Sequence, residues 1–188
     1  MLAPCQRPRN AAATREAILK AANRRFSAES YDQVGMRDVA RDVGVDPALI
    51  SRYFGSKEDL FVSVLEDCGN GSSITEGPRE TFGERIAHDL VYRPKKEGKL
   101  EWLLIMLRSI ASPKAAEIVQ RNSRERFYQP FTDWVGGPDA EIKARLVGGM
   151  MMGLAISRGI TGGFGMTPEQ CDQMCKRLAA TLQSLIDE

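Results

Sequence analysis

Residues 37–57 read RDVARDVGVDPALISRYFGSK and hold side chains suited to contact with a polyanion. Arg52 carries two parallel N–H donors that fit guanine O6 and N7, a pairing worth about 1–3 kcal/mol of discrimination between bases. Arg37 can reach a base edge or a phosphate. Ala48 and Leu49 offer apolar contact to thymine methyl groups, while Ser51 is small and reads weakly. Tyr53 and Lys57 suit phosphate oxygens, contacts that set register without reading sequence. Free amides at a helix start near Lys57 would add to them. Such chemistry works only if a rigid frame holds these side chains at one angle to a groove.

The same stretch supplies a frame. Met36, Val39, Ala40 and Val43 recur at i, i+3, i+4 and i+7, the stripe of an amphipathic helix. Gly44 provides the left-handed residue that ends it. Asp46 is placed to cap the next helix, with Pro47 at the first position, where a missing N–H is no loss. That helix is predicted from Pro47 to about Phe54 and is closed by Gly55. Ser56-Lys57-Glu58-Asp59 approximates a capping box for a third helix, whose buried face is Leu60, Phe61, Val64 and Leu65. Upstream, TREAILKAANRRFSA (14–28) puts Ala17, Ile18, Ala21, Ala22 and Phe26 on one stripe, with Thr14 as its cap. Two short helices joined by a glycine-containing turn make a helix-turn-helix. Its expected core is Ile18, Val39, Ala40, Val45, Ile50 and Phe54. With Ile50, Phe54 and part of Tyr53 inward, Ala48, Leu49, Ser51 and Arg52 face outward, as a recognition helix in a major groove requires. Spacing alone leaves a second reading open, in which the helix pair is only packing inside an all-α protein.

Composition narrows the classes. A chain of 188 residues with 43% hydrophobic and 27% charged residues is ordinary for a globular protein. Residues 1–57 carry a net +4 and the rest a net −3, so the overall +1 conceals a basic head on a mildly acidic body. No run of about 18 apolar residues exists, so no membrane span is expected. The first residues contain arginines but no apolar core of a secretory signal, and 1–13 reads as a flexible basic arm. The four cysteines form neither a disulfide framework nor a ligand set; Cys171 and Cys175, four apart, read as packed thiols. A reduced, cytoplasmic setting is expected. Catalysis is not: there is one histidine (His88), no P-loop, and GGFG at 162–165 lacks the dinucleotide spacing and a preceding strand. Neither a cofactor nor a metal is implied. Further helices are predicted over 78–92, 100–111, 113–135, 139–161 and 168–186, with a polar connector at 69–78. Other breaks fall at 93–98, at Ser112-Pro113, at 136–139 and at 162–169. Pro130 should kink or split its segment. The fold class is all-α, divided at 57/58 into a helix-turn-helix head (14–57) and a larger helical body (58–188).

The N-terminal block sharpens this. T-R-E-A-I-L-K-A-A…F, then Y-D…M-R-D-V-A-R-D-V-G-V-D…L-I-S-R-Y-F-G-S-K-E-D-L-F, resembles the DNA-binding domain of the TetR (tetracycline-repressor-like) transcriptional regulators over about residues 14–65. The resemblance implies that the head (14–57) is a DNA-binding domain and the body (58–188) a regulatory and dimerisation domain. It implies that Arg37 contacts a base, that Pro47, Ala48, Leu49, Ser51 and Arg52 meet bases from the recognition helix, and that Tyr53 and Lys57 meet phosphates. Three positions depart from the family pattern. Val34-Gly35 replaces a capping Ser or Thr, Ser30 replaces a common glycine, and Ser51 stands where a larger aromatic is frequent. The resemblance further implies a homodimer on a palindromic double-stranded operator, built through residues 139–161 and 168–186. It also implies release by a small, apolar effector held among the middle helices, where Trp102, Met106 and Phe127 are the candidate contacts. Within that middle segment Phe82, Ile86, Leu90, Trp102, Leu103, Ile105, Met106, Ile110, Phe127, Phe131 and Trp134 are expected to be mostly core. A repressor is the first expectation; an activator, or a ligand-independent DNA-binding or partner-binding module, is the alternative.

Overall fold

The computed structural model describes residues 11–68, 74–92 and 99–188. Most of the expected basic arm, Cys5, half of the connector (69–73) and the 93–98 break lie outside the described residues. Ten α-helices and no strand occur among those described. The helices pack as two compact units. The first takes the described residues up to Cys68 together with Leu104–Val119, and the second takes the remainder.

In the first unit α1 runs Ala11–Ala28, α2 Met36–Val43, α3 Pro47–Phe54 and α4 Lys57–Cys68. The alanines at 11–13 have the highest helix propensity, so α1 begins before the expected cap and Thr14 lies inside it. Ala17 of the expected stripe is exposed, and Leu19 is buried instead. α2 ends in a Schellman turn. Gly44 sits at φ 72°, its N–H donates to Arg41 O at 3.2 Å, and the Val45 N–H donates to Ala40 O at 3.0 Å. Asp46 Oδ1 then accepts the Ala48 N–H at 2.7 Å, and Pro47 opens α3. At the next junction the Ser56 N–H donates to Asp59 Oδ2 at 2.9 Å and the Asp59 N–H donates to Ser56 Oγ at 3.2 Å, a reciprocal box. Ile18, Val39, Ala40, Ile50 and Phe54 are buried as expected, and Val45 packs half-buried against them. Leu60, Phe61, Val64 and Leu65 of α4 belong to this same core, although the sequence places a boundary at 57/58. So do Ile105, at the end of α6 (Lys99–Ser109), and Ala115 and Ile118, at the start of α7 (Pro113–Ser123). Ile110, expected in a core, is 76% exposed at the turn between α6 and α7.

The second unit is built on α5 (Phe82–Val91), entered through a 3₁₀ turn at Arg79–Thr81, and on α10 (Pro168–Asp187). They approach so closely at Gly83 that a Cβ there would stand 2.1 Å from Ala179 O. The Gln183 side chain locks the crossing, accepting the Gly83 N–H at 3.0 Å and donating to Arg79 O at 3.2 Å. The Arg79 guanidinium donates to Trp134 O at 3.1 Å, Val135 O at 2.9 Å and Ile186 O at 2.5 Å. It thereby satisfies carbonyls at the ends of two helices. α10 starts at a complete capping box between Thr167 and Gln170.

Pro130 does split its segment. α7 passes into a wide π-type turn at Arg124–Tyr128 before α8 resumes at Gln129–Val135. Proline lacks the N–H of the i→i−4 bond and its ring crowds that carbonyl, so the chain widens there without leaving the helical region. The turn brings Phe127 and Tyr128 against α9 (Ala140–Ile160) at Gly148, where a Cβ would lie 3.0 Å from Phe127 and 3.1 Å from Tyr128. Phe82, Phe131, Ala144, Val147 and Leu182 fill the core beneath.

Candidate nucleic-acid interface

The surface of interest is made by the first turn of α2 and the outer side of α3. α3 is only eight residues long, too short to persist alone in water. It is held by Asp46 at one end, by Gly55 at the other, and by Ile50 and Phe54 from beneath. That anchoring leaves Pro47, Ala48, Ser51 and Arg52 exposed on one side. Leu49 and Tyr53 flank them half-buried, and Arg37 projects exposed from α2. All eight predicted DNA-contact residues therefore belong to the first unit.

Their electrostatics differ from those of neighbouring cations. Lys20 pairs with Glu16 at 2.6 Å and Lys114 with Glu58 at 2.9 Å. Arg25 binds Asp42 through Nε at 2.6 Å and Nη2 at 2.9 Å, and also reaches Glu29 at 3.0 Å. Its two hydrogen bonds hold the Asp42 carboxyl below its ordinary range. Arg41 pairs with Asp38. Arg37 and Arg52 have no ion-pair partner among the described residues, so their donors stay available.

Two features of this surface were not read from the sequence. Lys57, a predicted phosphate contact, lies half-buried, its Nζ 4.4 Å from the centre of the Tyr31 ring and 3.4 Å from Asp32 O. Burial pushes its ammonium pKa down. The spacing between residues 31 and 57 gives no hint of this, because it depends on how α4 crosses the loop before α2. The second concerns the start of α2, where the sequence lacks a capping Ser or Thr. Gly35 has no side-chain cap, and Asp38 Oδ2 folds back to within 2.6 Å of where its Cβ would be. An acid in the first turn is the signal that could have announced it.

The predicted effector contacts do not gather in one core. Met106 packs against the core of the first unit and Phe127 against that of the second, while Trp102 is half-buried in the second. Phe127 meets Tyr128 edge-on at 5.0 Å and stacks near Phe131 at 5.8 Å. An open groove of about 640 Å³ lies elsewhere in the second unit, between α9 and α10. Met150, Leu154, Met166, Met174 and Leu178 form its apolar wall, with Gln170 and Arg177 at its edge. His88 is exposed, its ring 5.3 Å from Tyr92, whose hydroxyl donates to Asp172.

Two family models match the chain. Bacterial regulatory proteins of the tetR family match residues 18–64, and the tetracyclin repressor-like C-terminal domain matches residues 80–186. No curated protein matches. Among solved structures, a TetR-family regulator from Streptomyces coelicolor A3 is similar at 25% identity and a TM-score of 0.57, over 98% of this chain and 100% of that one. GusR of Salmonella enterica shares 18% identity with a TM-score of 0.69, over 94% and 96% of the two chains. NalD of Pseudomonas aeruginosa, described as the secondary repressor of the MexAB-OprM multidrug efflux pump, shares 19% identity with a TM-score of 0.69, over 90% and 95%. No helix among the described residues is long and apolar enough to cross a membrane.

Proposed function

The chain belongs to the TetR family of transcriptional regulators, and from that premise we propose that two copies bind a palindromic DNA operator as a repressor released by a small apolar effector. It is a DNA-binding regulator and not an enzyme. The observation that carries the reading is the pair Arg37 and Arg52. Both are exposed and without an ion-pair partner among the described residues, Arg52 beside Ala48 and Ser51 on a short helix fixed at both ends and Arg37 on the helix before it. Arg52 takes a guanine, Arg37 a base edge or phosphate, and Pro47, Ala48, Leu49 and Ser51 line the bases between them. Tyr53 and Lys57 hold phosphates, Lys57 after leaving the Tyr31 ring.

Dimerisation follows from two needs. Specific sites of this kind generally use two half-sites about one helical turn apart. In addition, α9 carries an exposed apolar stripe: Ile142 is 60% exposed, Leu146 48% and Ile160 81%. Gly149 and Gly153, on the same stripe, would meet no atom within 4 Å if given a Cβ. Helices of a second copy can therefore approach residues 139–161 and 168–186 closely. Phe127 and Trp102 are proposed to meet the effector in the second unit, and Met106, in the first core, to respond to it. The repressor sign is supported by the NalD description. The protein would act in the cytoplasm.

Selection of bound fragments from a random DNA pool by the purified chain, followed by footprinting, tests the reading. An enriched palindrome with half-sites about one turn apart is expected. Absence of enrichment would overturn operator recognition and leave partner binding as the role of this surface.

A further inference from the structure

We propose that Arg15, in α1, is an additional phosphate contact that widens the DNA interface beyond α2 and α3; this rests on the DNA-binding reading above. Its guanidinium lies 4.7 Å from the centre of the Phe54 ring. Phe54 is the last residue of α3, two after Arg52 and three before Lys57. The cation is thus stationed where the recognition helix ends and the sugar–phosphate backbone would pass. A ring face orients a guanidinium without neutralising it, and leaves its N–H donors to bind a phosphate.

The other cations of the first unit give the argument its weight. Lys20, Arg25, Arg41 and Lys114 are paired with carboxylates. Arg108 Nε donates to Ser27 O at 2.9 Å, and Lys57 is turned onto Tyr31. Arg15, Arg24, Arg37 and Arg52 are left without an ion pair among the described residues. Arg24 follows Arg15 by nine residues, which places it roughly 180° away around α1, on the side where its charge is felt by Asp42. Arg15 is therefore the one of these two that shares a neighbourhood with α3, and Arg24 is a control within the same helix.

The test uses the full chain and the fragment selected above, with affinity measured between about 50 and 200 mM salt. Arg15→Met keeps an apolar cover on Phe54 and removes the charge. It should flatten the salt dependence by about 0.9 for each phosphate no longer neutralised, or about 1.8 for two protomers, so the affinity change over that range shrinks about twelvefold. Base preference should stay as in the wild type, Arg15→Lys should restore the slope, and Arg24→Met should leave it unchanged. A wild-type slope in Arg15→Met, or an equal flattening in Arg24→Met, would overturn this inference alone. A wild-type chain with no salt-sensitive binding would overturn the DNA-binding reading and this one with it.

Discussion

In the first unit the junctions on either side of α3 have identifiable stops: the Schellman turn at Gly44, the Asp46 cap, the Ser56–Asp59 box. Among its described cations, Lys20, Arg25, Arg41 and Lys114 are paired with carboxylates, while Arg15, Arg24, Arg37 and Arg52 carry no ion pair. The second unit works by contour. Gly83 lets α5 meet α10, a π-type turn delivers two rings to Gly148, and α9 keeps an apolar stripe uncovered. Reading a fixed duplex needs side chains held at set angles, and short, capped helices provide that. The proposed meeting with a second copy and an effector needs complementary surfaces, which can be built from many sequences with the same volumes.

The separation can be broken most severely from below α3. Ile50→Ala removes a fully buried side chain from the first core and should cost about 2–5 kcal/mol. Specific DNA binding should vanish, while the tryptophan fluorescence, which comes from Trp102 and Trp134 of the second unit, keeps its native transition. A transition that shifts equally would show the two units unfolding as one.

Adjacent glycines of α9 sharpen the contrast within the second unit. Gly148→Leu must displace Phe127 and Tyr128, an overpacking cost of about 1–3 kcal/mol visible in thermal unfolding of each protomer. Gly149→Leu meets open space, so protomer stability should hold while sedimentation shows loss of the dimer. If both act alike, the proposed seam is misplaced.

On the DNA side, Arg52→Ala should weaken the best site by about 1–3 kcal/mol and relax one base position. Lys57→Ala should weaken all sequences similarly and flatten the salt slope by about 0.9 per phosphate, or about 1.8 for two protomers. Identical behaviour in binding assays would erase the division between base and phosphate contacts.

The smallest effect concerns Asp42. Its folded-state pKa is depressed by Arg25, so its contribution is fully present above the ordinary carboxylate pKa and is lost as pH falls through the depressed value. Asp42→Asn should lower stability at neutral pH by about 1 kcal/mol or less. It should also make the fall in melting temperature below about pH 4 shallower than in the wild type.

What was legible in the sequence follows the same division. Gly44, Asp46, Pro47 and Ser56 act through bonds within a few residues, so their roles could be read from spacing. Lys57 on Tyr31 and Arg15 on Phe54 depend on helix crossings and leave no periodic trace. Pro130 announced a break, but its form, a widened turn and not a bend, came from the packing of Phe127 and Tyr128 on α9. Gly148 and Gly149 look equivalent in sequence, yet only one faces its own chain. Ile110 reads as core by type and sits on an exposed turn because α6 ends at Ser109.

The Gln183–Arg79 and Arg79–Ile186 bonds set a clock. They join residues 104 and 107 positions apart, so on a ribosome adding about 5–20 residues per second α5 waits roughly 5–20 s for its main partner. The first unit, whose core is complete once Val119 is made, is released earlier. During the interval Phe82 can meet Phe131 and Trp134 but lacks the cover of α10, so the nascent second unit is the part that keeps apolar surface in water longest.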